Sequence, residues 1–145
     1  MDLQLKDKVV IVTGGAKGIG EGVCRALAAE GAIPVIIGRN EQDNLLLAES
    51  IKATGGKVFQ VVAELSRPEE CKKAVDAVLT EFGRIEGVVN NAGTNDGVGL
   101  EDGDYERFMA SLHKSLIHYY LIVHHALPAL KQSKGAIENI SSKTA

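Results

Sequence analysis

The feature that most constrains this chain is a β-branched run, Val9 to Val12, that stops at Thr13 and passes at once into Gly14-Gly15-Ala16-Lys17-Gly18-Ile19-Gly20 and a helix-like stretch to Glu30. A strand that feeds a helix through so short a loop needs backbone few residues can supply. Gly14 allows the tight turn, Gly18 lets backbone approach a pyrophosphate, and Gly20 lets helix and strand pack closely. Phosphates would then lie at a helix N-terminus, where unpaired N–H groups and the helix dipole favour negative charge. A plain strand-to-helix turn can have the same composition. The strand before and the helix after are the context that favours a dinucleotide.

The rest of the 145 residues repeats the alternation. Short apolar runs at Lys8 to Thr13, Ile33 to Ile37, Val58 to Val62, Ile85 to Asn90 and Ala136 to Ser141 are separated by helical stretches, the pattern of a parallel sheet covered on both faces. The expectation is five strands and four helices in one α/β domain spanning 1–145. One helix places Cys71, Ala74, Val75, Val78 and Phe82 on a single face, with Ser66 and Glu69 spaced as a capping box. Another is expected from about Asp104 to Lys131, with Phe108, Leu112, Leu116, Tyr119, Val123 and Ala126 on one stripe.

Composition removes several classes of function. A net charge of −3 offers no basic surface for a nucleic-acid backbone. No apolar run approaches the ~20 residues of a membrane span, and the start lacks a signal-peptide core, so a cytoplasmic location is expected. Cys24 and Cys71 are spaced for neither a disulfide framework nor a metal knuckle and read as buried thiols. The histidines at 113, 118, 124 and 125 include no i, i+4 pair, so they read as solvated or partly packed and no metal site is expected.

The spacing Gly14-x-x-x-Gly18-x-Gly20 led by Thr13 resembles the short-chain dehydrogenase/reductase family. Asn90-Asn91-Ala92-Gly93, at the end of the fourth apolar run, is similar to that family's N-N-A-G signature, which supports the sheet and borders the nicotinamide site. Ile137-Glu138-Asn139-Ile140-Ser141-Ser142 resembles its fifth strand, ending in the active-site serine. The stretches Asn91 to Leu100 and Ser141 to Ala145 are similar to a sugar-oxidising branch that includes L-fucose dehydrogenases. The resemblance implies a doubly wound, Rossmann-like parallel sheet of order 3-2-1-4-5, without the family's C-terminal strands, and ligands at the C-terminal strand ends.

The implied reaction is hydride transfer between a nicotinamide cofactor and a secondary alcohol or carbonyl. Gly14, Ala16, Lys17, Gly18, Ile19, Gly20, Arg39, Glu64, Leu65, Asn91, Ala92 and Gly93 fall at the family's cofactor-binding positions. An NAD enzyme places a carboxylate at the end of the second strand to bind the ribose 2′-hydroxyl, whereas here Gly38 is followed by Arg39. That substitution favours NADP(H), with Arg39 and Lys17 meeting the 2′-phosphate; two solvated surface cations are the alternative. Glu64 stands where the family usually has Asp near the adenine. Ser142 matches the catalytic serine, whose hydroxyl hydrogen-bonds the substrate oxygen.

The departures matter as much. Ser115 occupies the position of the Asn that anchors a proton-relay water in many members, which puts that relay in doubt. The family's acid/base is the Tyr of a Tyr-x-x-x-Lys motif, and the residues four after Tyr105, Tyr119 and Tyr120 are Met109, Val123 and His124. The 145 residues alone are therefore expected to be inactive, and a non-catalytic nucleotide-binding or self-associating unit is the alternative reading. Glu138 sits at a normally apolar strand position and should either reach solvent or have a raised pKa. Homo-oligomerisation is expected through the long helix and through an exposed edge at Ala136 to Ser141.

Overall fold

The computed structural model describes residues 1–142. Among them the elements run β1 (Val9–Thr13), α1 (Gly18–Ala29), β2 (Ile33–Gly38), α2 (Glu41–Ala53), β3 (Phe59–Val62), α3 (Pro68–Phe82), β4 (Gly87–Asn90), α4 (Tyr105–Ser115), α5 (Ile117–Ser133) and β5 (Ala136–Asn139). The strands form one parallel sheet of order β3-β2-β1-β4-β5, the doubly wound topology expected. Crossing from β3 back past β2 and β1 to β4 creates the switch point between β1 and β4, at which loops on the two sides diverge.

Strand residues alternate between two cores. Val9, Ile11, Ile33, Val35 and Ile37 point to the face covered by Cys71, Ala74, Val75 and Val78 of α3 and Ile122, Ala126 and Leu130 of α5. Val12 and Ile36 point to the opposite face, against Cys24 of α1 and Leu47, Ala48 and Ile51 of α2. Both thiols are free and buried. Removal from water pushes the Cys24 thiol up to about 12 and the Cys71 thiol to about 11, so neither is a nucleophile near neutral pH. Full burial contributes roughly 1.5–3 kcal/mol for each Val or Ile, so the centre of the sheet is the rigid part of the molecule.

Several local expectations are corrected. The α3 capping box does not form: the N-cap is Arg67, without a side-chain cap bond, and the Ser66 hydroxyl donates to Glu64 Oε1 at 2.9 Å. Pro68 at the first helical position sets the start instead, because its missing N–H and fixed φ suit that position. Four of the strands are shorter than read, with Lys8, Val58, Ile85, Glu86, Ile140 and Ser141 outside them, and β2 runs one residue further, to Gly38. The outer strands also depart from burial on both faces: β3 is mostly half-buried and β5 is exposed throughout. Glu138 on β5 accordingly reaches solvent.

The expected long helix is two helices, broken at Leu116 (φ −134°, ψ −49°), which makes five helices rather than four among the described residues. Of the stripe read from the sequence, Ala126 is buried and Val123 packs against the core, but the stripe as a whole is not the buried face. Phe108 and Leu116 are more than half exposed, and the residues facing the sheet from α5 are His118, Ile122, Ala126 and Leu130 at successive i, i+4 steps. Once the helix restarts at Ile117, its register is reset and the two halves no longer share a stripe.

His118 is therefore neither solvated nor partly packed; it is 1% exposed. Its Nε2 is 2.9 Å from the carbonyl of Lys114, one of the last four of α4, which have no partner within their own helix. With Nε2–H donating there, the buried Nδ1 is an acceptor with no hydrogen-bond partner. Desolvation holds the imidazole below the ordinary histidine range, against opposing contributions from the Lys114 carbonyl and the Glu64 charge. A group whose folded pKa is depressed stabilises the fold above its unfolded pKa, and that contribution is lost as pH falls through the folded value. The melting temperature should therefore drop as the pH falls below the ordinary histidine value of about 6.5. His118→Gln should reduce that drop in thermal melts, and an unchanged pH dependence would contradict the assignment.

Candidate functional site

The loop between β1 and α1 is built by three glycines with three different constraints. Gly14 has φ +63°, and a Cβ there would lie 2.9 Å from the Ala92 Cα. Gly20 is the tightest: a Cβ would lie 2.2 Å from the Gly14 carbonyl oxygen and 2.6 Å from the Asn91 side-chain nitrogen. Its role is thus to pack the first turn of α1 on the loop and on the segment after β4, rather than on the strand itself. Gly18, at φ +56°, has open space where a Cβ would stand. That opening lies at the start of α1, whose N-cap Lys17 makes no side-chain cap bond. The first N–H groups of the helix are left for another acceptor.

The segment after β4 fastens this loop. The Asn91 side chain donates to the carbonyls of Thr13 and Gly14 at 3.0 and 3.2 Å. In return the buried Thr13 Oγ1 accepts from the backbone amides of Asn91 and Ala92 at 2.9 and 3.1 Å. The loop's inward carbonyls are thereby satisfied, and its outer side is free to face a ligand. Ala16 and Ala92 pack at the margins of the two cores, while Lys17, Ile19 and Gly93 are exposed around the opening. Ile19 is 65% exposed, an unusual position for so apolar a residue on a first helical turn.

At the end of β2 the structure explains why Gly38 is not a carboxylate. The fully buried Asn44 of α2 donates to the Gly38 carbonyl at 3.0 Å, and a Cβ at position 38 would stand 2.8 Å from its Oδ1. An acidic side chain there would displace Asn44. The cations of this corner are both paired: Lys17 with Asp43 at 2.8 Å, and Arg39 with Glu64 at 3.8 Å. Burial alone would raise the Glu64 carboxyl, but the hydroxyl and amide of Ser66 and the charges of Arg39 and Arg67 outweigh it and hold it below the ordinary carboxylate range. Leu65 turns its side chain into the core, so only its backbone faces this corner.

The ends of β4 and β5 form the other half of the site. Asn90 is fully buried and donates to Asn139 Oδ1 at 3.0 Å and to the Tyr119 carbonyl at 3.3 Å. The Tyr119 hydroxyl donates to the Ile140 carbonyl at 2.8 Å, which holds the backbone leading to Ser142. Ser142 is exposed just beyond β5; Lys143 to Ala145, which carry part of the sugar-oxidising resemblance, lie outside the described residues. Ser115, the last residue of α4, lies beside Gly93 of the segment after β4. Its hydroxyl donates to the Thr94 carbonyl at 3.1 Å and pins the loop after β4 to the last residue of α4.

The sequence profile described as short chain dehydrogenase matches residues 8–145. This chain belongs to the short-chain dehydrogenase family. Among its relatives is an L-fucose dehydrogenase from Oryctolagus cuniculus, 35% identical over 136 residues, a match covering 93% of this chain and 46% of that protein. The L-sorbose reductase of Gluconobacter frateurii, solved with NADPH and L-sorbose, superposes with a TM-score of 0.93 at 27% identity, over 99% of this chain and 55% of that one. An NADH-dependent reductase, A1-R′, solved with NAD, superposes with a TM-score of 0.92 at 26% identity, over 100% and 63% of the two chains. The chain spans about half the length of the curated relatives it matches.

As a short-chain dehydrogenase fold, the molecule brings the glycine loop, Arg39, Glu64 and Asn91 to Gly93 to the C-terminal side of one sheet. Sequence reasoning missed Thr13 as an acceptor, Asn44 as the residue that requires Gly38, and Asp43 as the partner of Lys17. The sequence signals only the start of α2 there: Asn40 followed three residues later by an acid is an N-terminal helix signature, and Asn40 Oδ1 does accept from the Asp43 amide at 3.1 Å. Among the described residues no helix is long and apolar enough to cross a membrane, and no group of three or more His, Cys, Asp or Glu is arranged to hold a metal ion.

Two glycines of α1 separate loop architecture from general helix propensity. Gly22 is exposed, with open space about its Cβ position, so Gly22→Ala should be neutral or stabilising by about 0.5–1 kcal/mol. Gly20→Ala should cost about 3 kcal/mol or more, because backbone rather than a flexible side chain stands in the way. Urea unfolding of the two variants checks this, and equal midpoints would contradict the packing described.

Proposed function

We propose that residues 1–145 form a single nicotinamide-dinucleotide-binding unit of an oxidoreductase that acts on a secondary alcohol or carbonyl, with a sugar as the favoured substrate class. The observation that carries the reading is the open start of α1 at Gly18, held in place by Asn91. A phosphate-sized anion has both room and unpaired donors there. Gly14, Ala16, Lys17, Gly18, Ile19 and Gly20 would hold the pyrophosphate and its surroundings, and Glu64 with the Leu65 backbone would border the adenine. Asn91, Ala92 and Gly93 would flank the nicotinamide. When bound, that ring supplies or accepts the hydride.

Ser142 in this reading hydrogen-bonds the substrate oxygen, and Tyr119 fixes the backbone that delivers it. Ser115, at the usual Asn position, holds the loop after β4. No Tyr-x-x-x-Lys pair occurs within these residues, so nucleotide binding without turnover is expected of them alone. The sugar class rests on the relatives and on the loop Asn91 to Leu100. Self-association through α4 and α5, where Phe108, Leu116, Tyr120 and Leu127 are exposed, belongs to the same reading.

NADP(H) is favoured over NAD(H), although structural neighbours include complexes with each. The support is local: Asn44 leaves no room for a carboxylate at Gly38, and Arg39 stands next to it, its side chain 77% exposed. Charge-assisted hydrogen bonds to a 2′-phosphate contribute about 1.5–3 kcal/mol, or roughly 10–150-fold in preference. Calorimetry with both nucleotides should show that preference in the unmodified chain and its collapse in Arg39→Ala, with NAD affinity little changed. Equal binding of the two nucleotides by the unmodified chain would refute the NADP assignment.

A further inference from the structure

The cations around the end of β2 do not stand alone. Lys17, in the glycine loop, reaches across to Asp43 in the first turn of α2, with Nζ 2.8 Å from Oδ2. The region after the second strand is where a dinucleotide's ribose 2′-position is bound in folds of this kind. A Lys17 ammonium held against α2 is therefore at the ribose end of the site, and its nearest anion is part of the protein.

The two carboxylates of this corner are not equivalent. Asp43 is fixed from below, because Asn40 Oδ1 accepts from its backbone amide at 3.1 Å, and its side chain is only 24% exposed. Glu64 is committed elsewhere: its Oε1 accepts from the hydroxyl and amide of Ser66 at 2.9 and 3.3 Å, and its Oε2 stands off from Arg39 at 3.8 Å. Asp43 is thus the close competitor and Glu64 the loose one. A 2′-phosphate that engages Lys17 must either displace the Asp43 carboxylate or approach it as a like charge.

We infer that Asp43 is a specificity-determining residue that sets the nucleotide preference of this chain through its ion pair with Lys17. The inference rests on the dinucleotide reading of the glycine loop. Arg39 supplies attraction for a 2′-phosphate, and Asp43 withholds the second cation. NAD, which lacks the phosphate, has no reason to disturb the pair. The preference for NADP is in consequence smaller than two uncommitted cations would give, and removing one carboxylate enlarges it.

The test is calorimetry with NADP and with NAD on the unmodified chain, Asp43→Asn, Lys17→Ala and the double variant. Asp76→Asn, whose carboxylate pairs with Lys72 on α3, serves as the charge control. Asp43→Asn keeps the amide that Asn40 caps, and Asp43→Ser is a second variant should the first fold poorly. The ratio of the two affinities should move toward NADP by about two- to fivefold in Asp43→Asn, the range expected for freeing a largely exposed cation. In the Lys17→Ala background the same substitution should move it less than about twofold. A ratio unmoved by Asp43→Asn, moved as much without Lys17, or moved equally by Asp76→Asn would overturn the inference while leaving the dinucleotide reading standing. Failure of the unmodified chain to bind either nucleotide would overturn both.

Discussion

The two hydrogen bonds that the Asn91 side chain donates to the carbonyls of Thr13 and Gly14 join loops from different strands into one surface. Each contributes only about 0.5–1.5 kcal/mol net, far less than the sheet around it. Their importance is positional. With those carbonyls turned inward and satisfied, the start of α1 points its unpaired donors outward, and Gly20 must remain without a Cβ because Asn91 and the Gly14 carbonyl occupy that space. The Thr13 hydroxyl closes the arrangement by accepting from the backbone of the same segment. The ends of β1 and β4, neighbours across the switch point, are in this way prevented from moving independently.

The sheet supplies the platform and polar side chains decide its chemistry. Asn44, buried under the end of β2, removes the space a ribose-binding carboxylate would need, and on the proposed reading discrimination falls to the cations that follow. Those cations are in turn balanced by Asp43 and Glu64. At the opposite end, Asn90 and Tyr119 tie the exits of β4 and β5 together through Asn139 and Ile140. Preorganisation at both ends comes from amide and hydroxyl groups with fixed partners, which pre-set the site at little cost when a ligand arrives.

Much of this was legible in the sequence because the signals are local or strictly periodic. Fully apolar runs at Val9 and Ile33 announce buried parallel strands, and the glycine spacing announces the loop. What escaped the reading depends on tertiary context. A single break at Leu116 reset the phase of α5, so a stripe through Phe108 and Leu116 gave way to one through His118 and Ile122. Nothing in the order of the residues marks that break. Ser66 was spaced for a cap, in which its oxygen would accept from the helix, but its hydroxyl donates to Glu64 and Pro68 begins the helix without it. Asn44 and Asp43 were missed because their partners, Gly38 and Lys17, lie in other elements, and a contact across the sheet end leaves no periodic trace.

On the proposed reading, Gly14 to Gly20 and Asn91 to Gly93 form one dinucleotide-binding surface. Backbone amide NMR of the 145-residue chain, titrated with NADP, tests it most directly. The account predicts saturable shifts concentrated at residues 14–20, 38–43 and 91–93, with the amides of α3 nearly still. Shifts absent at millimolar nucleotide, or concentrated away from the glycine loop, would contradict it.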